Sequence, residues 1–221
     1  MKKYISIAAL FFVGIVYVFT LAPCITATGD SSEMVVASYT LGVAHPPGYP
    51  LYTMIGKVFT FMPASNIAFR VNIMSVFFGL LTLFVFDRIL ARFIKNRVAR
   101  VLGLLALAFA PQTWEYCIVA EVFTLANFLT MLIIYLLFRF DERKDLKSFL
   151  LIFFVFGLAM THQHMTILII PAIGLTFLMQ MKHHRRFGFP DQGTFIIEGS
   201  LYVLLGFGVM LIGLLPYLYA P

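Results

Sequence analysis

Charge is scarce in this chain: only 12% of its 221 residues are Asp, Glu, Lys or Arg, against 61% hydrophobic. A soluble domain covers its surface with polar groups, and there are too few here to do so. Cysteine is nearly absent too. Cys24 and Cys117 form no CxxC pair and no metal-ligand spacing, although an oxidising compartment would allow them to bridge. There is no Walker loop, no GxGxxG, no GxSxG and no HExxH, so nucleotide, dinucleotide, serine-hydrolase and zincin chemistries lack their usual signatures. No internal repeat of the transporter kind is evident.

What fills the chain instead is apolar: 25 phenylalanines and a mean hydropathy of +0.94. Apolar runs near membrane-crossing length recur, and they do not alternate as barrel strands would. Backbone in lipid must satisfy its own hydrogen bonds, which long uniform runs do as helices. The expected fold is an all-α integral membrane bundle. Seven segments read as spans: 4–22, 67–87, 98–114, 118–138, 148–162, 165–181 and 196–219. The first resembles a signal peptide, with Lys2 and Lys3 before an apolar core, but its run is long and it is read as retained. An eighth stretch, 51–62, lies between Pro50 and Pro63 and is too short for a hydrocarbon core of about 30 Å.

The net charge of +6 reads as topology rather than as a nucleic-acid surface. The basic clusters are Lys2-Lys3; Arg88 to Arg100; Arg139 to Lys147; and Lys182, Arg185 and Arg186. If all are cytoplasmic, the segments between successive clusters must come in even numbers. Dropping 51–62 as an interfacial helix achieves this, and leaves only Lys57 and Arg70 on the outer side. The N-terminus is then cytoplasmic, and residues 23–66 form a large first outer loop with short helices.

That topology sorts the ionisable groups. Asp30, Glu33, His45, Arg70, Glu115, Glu121, His162 and His164 share the outer side. Asp30 and Glu33 can share one face at the start of a helix, as a cap and its N3 partner or as a catalytic carboxylate pair. A partly desolvated carboxylate there would be basic enough to take a proton from a hydroxyl. His45 opens the bend "HPPGYP", either as part of a rigid hinge or in a chemical role. Arg70, a turn into a spanning helix, either snorkels to headgroups or pairs with a phosphate. Glu121, at the mouth of an apolar helix, is a candidate by its depth. Glu115, between Trp114 and Tyr116, reads as interfacial belt. His162 and His164 would point to opposite faces of a helix, so a shared metal is not expected there, though a turn would permit one; His164 is the preferred member, the alternative being a buried histidine bonded between helices. The His183-His184 pair falls in a basic cytoplasmic loop and reads as solvated.

Four motifs carry a resemblance. "GDSSEMVVASYTLGVAHPPGYPLYTMIGKVF", "SNIAFRVNIMSVFFGLL", "WEYCIVAEVFTLANF" and "THQHMTILI" are similar, in order, to a DUF-type family of transmembrane O-mannosyltransferases whose vertebrate member acts on plexin-type IPT domains. The resemblance covers essentially the whole chain. It implies a GT-C glycosyltransferase, which moves a sugar from a polyprenyl-phosphate carrier to an acceptor protein on the extracytoplasmic side. It implies a catalytic acid in the first outer loop, at Asp30 with Glu33 as the near alternative. His45, Arg70, Glu121, Asn127, Gln163 and His164 are then the candidates for donor phosphate and substrate. No cofactor is expected beyond the lipid-linked sugar, no protein-held metal is required, and a divalent ion is compatible with paired carboxylates. The partners are membrane lipid, the polyprenyl-phosphate sugar and an acceptor protein, with no nucleic acid. A bacterial inner membrane is the expected location, or the endoplasmic reticulum for a eukaryotic source. Family members continue past "LLPYLYAP", so the chain is expected to be an N-terminal membrane module. A transporter or lipid-handling protein, with the same polar groups lining a path, is the alternative, as is an inactive fragment.

Overall fold

The computed structural model describes residues 5–27, 29–181 and 192–219. Lys2-Lys3 and the cluster Lys182, His183, His184, Arg185 and Arg186 lie outside the described residues, as does Thr28. The fold is all-α, with no strand among the described residues. Its helices are α1 (Ile5–Phe19), α2 (Ser31–Thr40), α3 (Pro50–Thr60), α4 (Ile67–Phe93), α5 (Arg97–Ala108), α6 (Pro111–Cys117), α7 (Phe123–Arg143), α8 (Leu146–Met160), α9 (Ile170–Met181) and α10 (Gln192–Gly213). Two 3₁₀ turns, His164–Ile169 and Leu215–Tyr219, flank α9 and follow α10.

The expected count of seven spans is not reached among the described residues. Three described stretches are long and apolar enough to cross a membrane: Ile67–Phe93, Phe123–Arg143 and Gly199–Tyr219. The others are cut short for identifiable reasons. The run 98–114 breaks after Ala108, and Pro111 starts the separate seven-residue α6. The run 118–138 becomes helical only at Phe123. The run 165–181 divides into a 3₁₀ turn and α9, with Pro171 at the junction. Helices α1 and α8 have 15 residues each, about 22 Å at 1.5 Å per residue. The eighth stretch forms α3, whose 11 residues give about 16 Å.

Helix α4 joins two cores. On one side Val76 and Leu83 pack with Val13 and Tyr17 of α1, Leu104 of α5 and Cys117 of α6. On the other, Val71, Met74 and Phe78 pack with Met34 of α2, Tyr52 of α3, Leu125 and Ile133 of α7 and Ile152 of α8. Small residues set the closest approaches, as expected where lipid offers no hydrophobic gain for association. Gly56 of α3 faces Ser38 of α2, Gly79 of α4 faces Cys117, and Gly157 of α8 meets the backbone of α10 at Met210 and Gly213. Cys117 is buried and Cys24 exposed, and both are free, so the bridge between them is not formed.

Polar contacts identify two ends of the bundle. At one, Ala22 N–H donates to Ile118 O (3.0 Å), Asn72 Nδ2 donates to Ala22 O (2.8 Å), and His162 reaches Val122. Asn66 caps α4 there, accepting from Phe69 N–H at 2.9 Å, which is worth about 1 kcal/mol. At the other end Asp87 of α4, 5% exposed, accepts from Ser6 of α1 (3.1 Å) and Arg100 of α5 (3.2 Å). Arg92 pairs there with Glu142. The acidic loop, His162 and His164 thus gather at one end, and the basic clusters of α4–α5 and α7–α8 at the other.

Candidate active site

Helix α2 begins abruptly. Gly29 takes φ +60°, a left-handed conformation that costs glycine nothing, and turns the chain into Asp30. Asp30 precedes the helix at φ −95° and ψ 9°, outside the extended region that side-chain caps use, and makes no cap bond. Glu33 does not reach back to it either. The reciprocal capping read from the spacing is therefore not built, and both carboxylates are released for other partners.

Glu33 goes to His45. The chain leaves α2 through Leu41 at φ 56°, and Gly42 N–H bonds Ala37 O, reversing the direction. Residues 44–49 then fold back over the first turn of α2. Glu33 accepts from His45 N–H (2.6 Å) and from the ring Nδ1–H (2.7 Å). The bond to Glu33 raises the His45 pKa above its ordinary value, and the charges of Glu33, Asp30 and Glu121 add to it against partial burial. The same bonds hold the Glu33 carboxyl below the usual range. The other face of the ring looks at Asp30, with Nε2 3.7 Å from Oδ2, and at the Tyr49 hydroxyl, 3.4 Å away. The side chains of Asp30, Glu33 and His45 are 47%, 42% and 38% exposed, so the cluster is open at the protein surface. Their ligand atoms lie within 4.8 Å of one another, which a divalent ion could share if His45 released Glu33.

Beneath this cluster lies Glu121, 4% exposed, in the non-helical segment between α6 and α7. Its Oε1 accepts the Asp30 N–H at 2.9 Å. Burial pushes its carboxyl above the usual range, partly offset by that bond. A Cβ at Gly29 would collide with the Glu121 carboxylate, so the approach needs glycine as well as the turn does.

Of the other residues predicted from sequence, several stand elsewhere. Arg70 spends its guanidinium on three backbone carbonyls, Ala64 (2.5 Å), Thr60 (2.8 Å) and Ser65 (2.9 Å), closing the α3–α4 loop. It edges a groove of about 660 Å³ with Cys24, Ile25, Val35 and Tyr39, and makes no contact with Asp30 among the described residues. His164 donates from Nε2 to the Tyr217 hydroxyl (2.6 Å), which donates to Met160 O (2.8 Å). Gln163 starts the 3₁₀ turn half-buried, and Asn127 is exposed on α7. Glu115 lies on α6, and its charge acts on Glu121.

The histidine beneath the site is His162 rather than His164. It is 1% exposed, stacks on Tyr52 (centroids 6.0 Å) and meets Tyr49 edge-on (5.9 Å). Its Nε2–H donates to Val122 O at 2.8 Å, and its Nδ1 has no protein partner. Burial pushes its pKa down to about 4, so the ring is neutral near pH 7. Tyr49 and Tyr52 were not foreseen as part of the site. Their one signal is "GYPLY", where Gly48 and Pro50 fix the chain around Tyr49.

Residues 30–186 match the family described as protein O-mannosyl-transferase TMEM260 N-terminal domain, a span that opens on Asp30 and includes every candidate site residue. Mouse protein O-mannosyl-transferase TMEM260 is 32% identical over 216 residues, covering 95% of this chain and 29% of the mouse protein. The Dictyostelium discoideum protein of the same name is 31% identical over 141 residues, 61% of this chain and 17% of its own length. The chain thus spans well under half the length of these relatives. No solved structure matches it.

Proposed function

The chain belongs to the protein O-mannosyl-transferase TMEM260 N-terminal domain family, and we propose that it forms the membrane part of a GT-C glycosyltransferase. The enzyme takes a hexose, mannose by its relatives' name, from a polyprenyl-phosphate donor to a Ser or Thr hydroxyl of an acceptor protein. The site faces the extracytoplasmic side, and the described chain acts as one module.

One observation carries the reading: an open carboxylate, Asp30, unused by its helix and beside a histidine whose charge is favoured. Asp30 accepts the proton of the acceptor hydroxyl as its oxygen attacks the anomeric carbon. The bond from that carbon to the phosphate oxygen breaks on the opposite face, giving inversion, and the lipid phosphate departs with the electron pair. A general base of this kind supplies about 10²–10⁴-fold. Negative charge grows on the leaving phosphate and is met by a cation on that far face; His45, with Nε2 3.7 Å from Asp30 Oδ2, stands on the side of the base. Glu33 holds that imidazole in place and favours its charged form. Arg70, bound to carbonyls, serves the loop before it serves a phosphate.

The test is transfer of radiolabelled mannose from polyprenyl phosphate to acceptor peptides, in membranes holding the full-length protein. Label on Ser or Thr is the expected result. Movement of the lipid across the bilayer with no label on peptide would favour the transporter instead.

A further inference from the structure

Glu121 sits where sequence reasoning put a substrate-binding acid, but it faces the protein. Its side chain is buried, and its Oε1 holds the backbone N–H of Asp30 across 91 residues of chain. Gly29 has no Cβ at the point where one would strike that carboxylate. The segment bearing Glu121 is not helical, so its backbone needs partners from elsewhere. His162 fastens it at one end by donating to Val122 O, which also accepts the Ala126 N–H of α7, and is itself wedged between Tyr49 and Tyr52.

From this arrangement we infer that Glu121 is a positioning residue: its carboxylate oxygen, on a shelf clamped by His162, fixes the backbone of Asp30 and so aims the Asp30 carboxylate. The inference rests on the reading of Asp30 as the base, and assigns Glu121 a role distinct from binding donor or acceptor. It makes a chemical distinction. A positioning acceptor needs an oxygen, which an amide also provides; a base or an ion-pair partner needs the charge. Glu121→Gln should therefore keep most of the transfer rate, whereas Glu121→Ala, which removes the acceptor, should lose about 10-fold or more in kcat with little change in donor KM.

The experiment uses the full-length protein with both Glu121 variants, Gly29→Ala and Asp30→Asn. It measures transfer kinetics and, separately, amide hydrogen exchange in the peptide spanning residues 29–33. Faster exchange at Asp30 in Glu121→Ala and Gly29→Ala, with near wild-type exchange and rate in Glu121→Gln, is the expected result. Unchanged exchange in Glu121→Ala would overturn the inference whatever the activity. So would a Glu121→Gln rate as low as that of Asp30→Asn, because the charge itself would then be required. Should Glu121→Ala fail to fold, Glu121→Gln and Gly29→Ala still decide. Altered exchange alongside normal transfer by Asp30→Asn would leave the positioning contact standing and remove the functional reading beneath it.

Discussion

His45 and Glu33 make a pair whose pH behaviour follows from the direction of each shift. The folded pKa of His45 is raised above its ordinary 6.5, so its contribution to stability is fully present below that value and is lost as pH rises through the folded one. That of Glu33 is lowered from 4.5, so its contribution is present above 4.5 and is lost as pH falls through the folded one. Both are complete between about 4.5 and 6.5. The gap in thermal midpoint between wild type and Glu33→Gln should be widest in that window and shrink on either side, read by unfolding in detergent across pH. A gap that grows steadily with pH would contradict the pairing. These two residues also show what the sequence hid. An Asp and a Glu three apart fit a cap box and a catalytic pair equally well, and only the return of residues 44–49 onto α2 decides that Glu33 meets His45. Local spacing carries no record of a partner twelve residues away.

At the level of elements, the packing of α8 on α10 depends on backbone touching backbone. A Cβ at Gly157 would run into the Met210 carbonyl, whereas at Gly208 it would meet nothing within 4 Å. Glycine to alanine inside a helix ordinarily gains about 0.5–1 kcal/mol. Gly208→Ala should follow that rule and raise the thermal midpoint slightly. Gly157→Ala should reverse the sign and cost about 1–3 kcal/mol, as overpacking does. Equal effects at both positions would show that the two helices do not meet this way. The helices themselves were legible as apolar runs, but their limits were not. Hydropathy continues through Phe109–Ala110 and, apart from Glu121, through 118–122, where the helices are interrupted by Pro111 and by the non-helical segment that carries Glu121. A hydropathy reading registers neither event, so it counted seven spans where three are long enough among the described residues.

The whole molecule is organised by its two ends. The parity of basic clusters assigned Asp30 and His164 to one side, and the contacts of α1, α4, α7 and α8 gather them there. Which side of a bilayer that is can be read by labelling: single cysteines at positions 30 and 164 should react with an impermeant reagent from the extracytoplasmic side, and one at Lys95 only after permeabilisation. Opposite labelling of 30 and 164 would contradict the topology. The placing of Asp30 at that end was within reach of sequence because charge distribution and family motifs both bear on it. The engagement of Arg70 was not, because it depends on three carbonyls presented by a loop.

The central claim is that the Asp30 carboxylate takes the proton from the acceptor hydroxyl. Asp30→Asn keeps the shape of the side chain and the backbone bond to Glu121 but removes the basic oxygen. The direct measurement is the rate of mannose transfer from polyprenyl phosphate to an acceptor peptide by full-length wild type and Asp30→Asn, at matched expression and donor binding. A fall of about 10²–10⁴-fold is the predicted result. Transfer by the variant at close to the wild-type rate would contradict it.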